Sequence, residues 1–312
     1  MASGKLEIGI VFFIQTAVGI LGNLFLLCFY NFTLLTGHKL RPTDLILNQL
    51  TLANSLVLFS KGIPQTMAAF GLKYFLDDTG CKLVFYSHRL ATGVSFSTVC
   101  LLNGFQAIKI DSSVCKWMAF RFRSLKFIGF CCFLCWIPHL LLSTCILVIV
   151  NGPLDSKSRR GGNSSAYCSW TMPENSSVYT VIYFSPDFMS LAFMLWASGT
   201  VVFVLHRHKK QVQHIHSHRR SSRPSPEARA TWTVMILVSS FFAFYSVYTI
   251  MTVWMTLVAN PGQWMVNSSV LVSSCFVAFA PFVLIISDTR VHQFCSACLP
   301  RRTSFPNPVA VP

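Results

Sequence analysis

Charge is what this chain has least of. Asp, Glu, Lys and Arg make up 11% of its residues, where soluble domains carry roughly 25%. The shortage is lopsided, with 10 acidic residues against 25 Lys and Arg. Catalytic groupings are missing too: there is no H-E-x-x-H, no Ser-His-Asp grouping and no paired carboxylates in the apolar blocks, which excludes the common routes to an intramembrane enzyme. No metal-ligand set or cofactor motif is present. The halves show no internal repeat, no ring of acids and no paired broken helices, which weighs against a transporter or channel. No nucleic-acid-binding motif accompanies the net charge of +15.

Apolar residues are abundant instead, at 53% of the chain with 28 Phe and a mean hydropathy of +0.55. They fall into blocks long enough for a hydrocarbon core of about 30 Å. Seven candidate spans emerge, at about 8–31, 43–70, 82–109, 126–150, 178–206, 230–258 and 266–287. Pro64, Pro138, Pro186 and Pro281 lie within apolar stretches and read as kinks, because neighbouring helices and Ser/Thr side chains can satisfy the freed carbonyls. No span alternates with the period of two that a membrane barrel requires. The first block is longer than a signal-peptide core and lacks a small-x-small cleavage site, so it reads as a retained signal-anchor. The expected fold is all-α: a seven-transmembrane-helix bundle over 1–290, with a short tail at 291–312.

The connectors set the orientation. Lys39, Arg41, Lys109, Lys116, Arg121, Arg207, Lys209, Lys210 and Arg290 belong to one side of the membrane. The other side has fewer bases, and Asp77, Asp78, Asp155 and Glu174 offset them. The basic side is cytoplasmic, which places the N-terminus outside and the C-terminus inside. The bases would also meet anionic membrane lipid. The sequons at Asn163 and Asn175 both fall in a loop assigned outside, as N-glycosylation requires. Cys81, at the outer entrance of span three, and Cys168, in that loop, form a permitted disulfide in an oxidising compartment. The bland alternative is that they are simply two of 12 cysteines.

This plan resembles a G-protein-coupled receptor, and Gly22-Asn23 and Trp136-Ile137-Pro138 fit it. The rhodopsin-like signatures are replaced, however: Leu52-Ala53-Asn54 in span two, Phe105-Gln106-Ala107 at the inner end of span three and Pro281-Phe282-Val283-Leu284 in span seven. The runs His38-Lys39-Leu40-Arg41-Pro42-Thr43-Asp44-Leu45, Lys61-Gly62-Ile63-Pro64-Gln65 and Tyr167-Cys168-Ser169 are similar to the vomeronasal type-1 receptors. So are Phe184-Ser185-Pro186-Asp187, Leu205-His206-Arg207-His208-Lys209 and Ser225-Pro226-Glu227-Ala228-Arg229. The resemblance covers nearly the whole chain. It implies a multi-pass plasma-membrane receptor that detects small pheromone-like ligands and signals through an inhibitory-class heterotrimeric G protein. A bitter-taste-like receptor is the neighbouring alternative.

Residue positions supply candidate sites. His88 lies seven residues below Cys81 and Thr92 eleven, so all three point in nearly the same direction. Lys61, Arg89 and Asp187 are ionisable groups at comparable outer depth, where such groups usually face a cavity. The alternative for them is a structural ion pair. Phe241, Phe244, Tyr245 and Tyr248 form a stripe that either meets an apolar ligand or packs against another helix. Asn23, Asn48, Asn54 and Ser274 read as polar contacts between helices, and His139 as a packing histidine. On the inner face Gln106, Lys109, Arg207, Lys209 and Lys210 are candidates to face the G protein. Cys295 and Cys298 are candidates for palmitoylation.

Overall fold

The computed structural model describes residues 2–37, 40–72, 75–110, 120–122, 124–151, 163–164, 168–170, 188–189, 191–196, 198–200, 202–203, 226–257, 262–288, 290–291 and 294. Among these the chain is nearly all helix. The elements are α1 (Ala2–Thr36), α2 (Pro42–Val57), a π-helical turn (Leu58–Gly62), α3 (Ile63–Ala69), α4 (Asp78–Ile110), α5 (Leu125–Leu134), α6 (Ile137–Ser143), α7 (Ile146–Ile149), α8 (Pro226–Leu257) and α9 (Gln263–Ser287). Short strands β1 (Val150–Asn151), β2 (Asn163–Ser164) and β3 (Ser169–Trp170) form an antiparallel sheet in the order β1-β3-β2.

Among the described residues four helical stretches are long and apolar enough to cross a membrane: Leu6–Thr36, Leu125–Val148, Thr231–Met255 and Trp264–Ser287. The helices at the expected spans two and three are more polar, because they turn Asn54, Ser55, Gln65, Thr66, Ser95, Thr98 and Asn103 inward, all buried. Buried share separates edge from centre. Only 17% of the most apolar window in Leu125–Val148 is buried, against 50% in Trp264–Ser287. Residues of the expected span five that are described are helical; the rest of 178–206 lies outside the described residues.

The prolines act where the sequence places them. Pro64 has no N–H to donate to Ser60, and the backbone widens just ahead of it into the π turn, where the Ile63 N–H bonds back to Leu58. Expected span four is not one continuous helix. It breaks at Cys135–Trp136, ahead of Pro138, and again at Thr144–Cys145, and Val150 is already in β1. Pro281 stays inside α9 and packs on Gly22 of α1, where an added Cβ would come within 2.9 Å of its ring. Small residues let membrane helices approach this closely.

Polar contacts tie the core together. Asn23 donates to the Val277 carbonyl of α9 (2.9 Å), Ser95 of α4 donates to Asn54 Oδ1 of α2 (2.8 Å) and Asn48 donates to Asn31 (3.2 Å). His139 of α6 bonds Ser97 of α4 at 2.7 Å. Its imidazole lies over Gly93, where any Cβ would overlap it. These are the packing roles the sequence suggested for Asn23, Asn48, Asn54 and His139; Ser274 is buried in α9.

Candidate functional site

One end of the bundle is closed by a disulfide between Cys81 in the first turns of α4 and Cys168 beside β3, with a Cα–Cα distance of 5.8 Å. Both cysteines are buried with Ile146 and Val150 in a small apolar cluster flanked by Phe75, Leu76 and Phe85. β1 pairs with β3, Val150 opposite Trp170, so the end of span four and the chain beside Cys168 are stitched to the same spot.

Beneath this cap, basic groups converge. Lys61 sits on the π turn, its Nζ 5.7 Å from the Tyr248 ring centroid of α8, in the range of a cation–π contact. His88 of α4 is 8% exposed, and Lys61 and Arg89 lie close enough to act on it electrostatically. Its Nδ1 has no hydrogen-bond partner among the described residues. No carboxylate pairs with Lys61 among the described residues. Asp187, a ligand-facing candidate and the counter-charge in the ion-pair alternative, lies outside them.

One turn deeper, Thr92 donates to the His88 carbonyl at 2.8 Å. Thr92 and Tyr245 line a cavity with Ser95, Phe241, Phe244 and Ser273, and its volume is about 20 Å³. That holds about one water, whereas small-molecule pockets measure about 300–1,000 Å³. The aromatic stripe is mainly packing here. Phe241 stacks on Tyr245 (centroids 5.3 Å apart), meets Phe276 edge-on at 4.6 Å and contacts Phe96 at 5.1 Å. The structure thus brings Thr92 and Tyr245 to one cavity, with His88 and Lys61 beside it but outside its lining.

At the opposite end, Lys109 is exposed, while Gln106 is buried at 3% exposure. Arg207, Lys209, Lys210, Asn175, Cys295 and Cys298 lie outside the described residues, and of Asn163 only the backbone, in β2, is described. Sequence reasoning overlooked the main feature of this end. Asp44 of α2, fully buried, accepts two bonds from Arg290, from Nη2 to Oδ1 (2.7 Å) and from Nη1 to Oδ2 (3.0 Å). Arg290 follows α9, and Asp288 holds it as well (2.8 Å). Burial alone would lower the pKa of Arg290, but the hydrogen bonds to Asp44 and Asp288 override it and hold the guanidinium above its ordinary range. The available signal was a lone acid beside an otherwise basic connector, in the first turn of a span. Among the described residues no His/Cys/Asp/Glu group could hold a metal.

Residues 6–297 match the sequence model of the vomeronasal organ pheromone receptor family. Human vomeronasal type-1 receptor 1 is 66% identical over 313 aligned residues, covering 100% of this chain and 89% of that protein. The chain belongs to the vomeronasal type-1 receptor family. Human vomeronasal type-1 receptor 3 is 43% identical over 98% of this chain and 99% of its own length. A zebrafish relative, olfactory receptor class A-like protein 1, is 30% identical over 91% of this chain and 90% of its own. Membership makes this a chemosensory G-protein-coupled receptor of the plasma membrane, spanning it more than once, and not an enzyme.

Proposed function

We propose that this vomeronasal type-1 receptor detects a small pheromone-like molecule in the half of the bundle beneath the Cys81–Cys168 cap and signals through an inhibitory-class heterotrimeric G protein at the Asp44 end. In this reading residues 1–290 form the seven-span domain and 291–312 a short cytoplasmic tail. The N-terminus and the cap, with sugars on Asn163 and Asn175, face outward. Lys61, His88, Arg89, Thr92, Tyr245 and Asp187 are the ligand-facing set. Lys109, Arg207, Lys209 and Lys210 face the G protein, and Gln106 joins them once that end opens.

The observation that carries the site is the convergence of Lys61 and His88: among the described residues no carboxylate pairs with Lys61 and no hydrogen-bond partner reaches His88 Nδ1. Ionisable groups at such a depth are costly and mark functional sites. The water-sized cavity at Thr92 and Tyr245 is then a collapsed state that a ligand widens by selecting a more open arrangement of α4 and α8.

The test is expression with a promiscuous G protein, calcium readout and a panel of volatile and steroid-like compounds. A hit is expected, and its potency should fall in Lys61→Met and His88→Phe at equal surface level. Ion or solute flux by the purified protein in vesicles without G protein would overturn the receptor reading. A response unchanged in both variants would move the ligand site elsewhere.

A further inference from the structure

The Asp44 end holds its charges in an arrangement that has two satisfied states. Arg290 has two carboxylates within reach. Asp288 is local: its Oδ1 accepts Arg290 N–H (3.0 Å) and Nε–H (3.2 Å), and its Oδ2 accepts Nη2–H (2.8 Å). Asp44 is distant in sequence and belongs to α2. Asp44 likewise has a second attachment, since its Oδ2 accepts the Arg41 backbone N–H at 2.8 Å. It also sits in the first turn of α2, where the helix dipole favours a carboxylate.

An ordinary buried ion pair is costly to part because each partner is left uncompensated. Here neither is. If Arg290 leaves Asp44 it keeps the bidentate hold of Asp288, and Asp44 keeps the Arg41 N–H and the helix terminus. The contact that parts is the one between α2 and the chain that follows α9. The apolar surroundings permit the same movement. Arg290 rests over the Phe29 ring of α1 at 5.9 Å, and Phe294 fits among Phe25, Phe29 and Phe32 of α1 by tilted and edge contacts of 5.5–6.4 Å between centroids.

We infer that Asp44 and Arg290 form a releasable latch that holds the end of α9 against α1 and α2 in the resting receptor, and that Asp288 is the parking site that receives Arg290 when the latch opens. This inference rests on the proposed signalling function for its readout in cells but not for its geometry. It assigns the two acids opposite effects. Removing the Asp44 carboxylate opens the latch. Removing the Asp288 carboxylate takes away the parking site and biases Arg290 toward Asp44.

The experiment compares Asp44→Asn, Asp288→Asn and the charge exchange Asp44→Arg/Arg290→Asp in the full-length chain. One arm measures ligand-independent signalling per receptor at the cell surface. Asp44→Asn should raise it by about fivefold or more, the lower end of ordinary coupling between sites, Asp288→Asn should lower it, and the exchange should return it toward the parent value. The second arm needs no G protein. Hydrogen exchange of the peptide spanning residues 284–294 in detergent should quicken in Asp44→Asn and slow in Asp288→Asn. Opposite signs in exchange with no change in signalling leave the latch standing and sink the coupling reading instead. Shifts of the same sign in both variants, or failure of both to accumulate, identify a fixed structural staple and overturn the latch.

Discussion

The two ends of the bundle are held shut by different chemistry. At the Cys81 end the closure is covalent and apolar: a disulfide buried among Ile146 and Val150, with a short sheet stitched beside it. The nearby basic groups, Lys61 and His88, have no carboxylate or Nδ1 partner among the described residues. At the Asp44 end the closure is ionic, with one guanidinium shared by two carboxylates. A covalent clamp does not open on the timescale of signalling, whereas an ion pair with alternative partners does. The first end is therefore mechanically fixed and, among the described residues, carries Lys61 without a carboxylate, as suits the binding proposed for it. The second is electrically complete and mechanically releasable, as suits switching.

The sharpest way to break this contrast is to remove the covalent clamp. Cys81 and Cys168 are 87 residues apart, and in the chain-entropy model a loop of that length is worth about 4.5 kcal/mol. The gain is smaller in a bilayer, which already confines the spans. Cys81→Ser or Cys168→Ser should cut surface delivery several-fold, read as the surface-to-total ratio of an epitope tag. Delivery at the parent level would show that the cap is dispensable and remove half of the comparison.

Next in size is the role of Lys61 at that end. If Lys61 meets a ligand acceptor by a charge-assisted hydrogen bond, its loss costs roughly 1.5–3 kcal/mol. Lys61→Met should then weaken ligand potency by about tenfold or more at matched surface level. Retention of potency would make Lys61 a structural cation, with Asp187 its natural partner. Midway between the ends, Gly93→Ala tests packing alone. Its Cβ overlaps the His139 ring, and overpacking of this kind costs about 1–3 kcal/mol. It should lower thermal stability in detergent, and His139→Ala in the same chain should recover most of the loss. If His139→Ala brings no recovery, the ring is not what excludes a side chain there.

Much of this was legible in the sequence, and the reasons are physical. Hydropathy finds a span because lipid demands apolar length, so α1, α8 and α9 fall close to their expected positions. The same measure makes spans two and three less distinct, since α2 and α4 hide Asn54, Thr66, Ser95 and Asn103 in the interior. Helical spacing placed Thr92 below His88 and Cys81. It could not reveal that Gln106 is buried, because burial depends on the helices opposite. The Asp44–Arg290 pair joins residues 246 apart in sequence, and no local period links them. Arg290 had been counted only as one more base on the cytoplasmic side.

The smallest effect tests whether the middle of the bundle does more than pack. Ser95 donates to Asn54 Oδ1 at 2.8 Å, while Asn54 Nδ2 has no partner among the described residues. The pair bridges α4 to α2 beside the water-sized cavity that Thr92 and Tyr245 also line. Hydrogen bonds between membrane helices average about 0.6 kcal/mol, because the separated helices find other partners. Ser95→Ala should therefore lower the melting temperature by roughly 1–2 °C. Water entering the enlarged cavity would offset part of even that. Packing alone further requires that ligand potency and ligand-independent signalling stay at the parent values. A marked change in either, at a melting temperature this close to the parent, would show that Asn54 and Ser95 carry coupling between the fixed end and the releasable one. The physical warrant would then be an element whose equilibrium both ends bias, and the two ends would have to be treated as one switch.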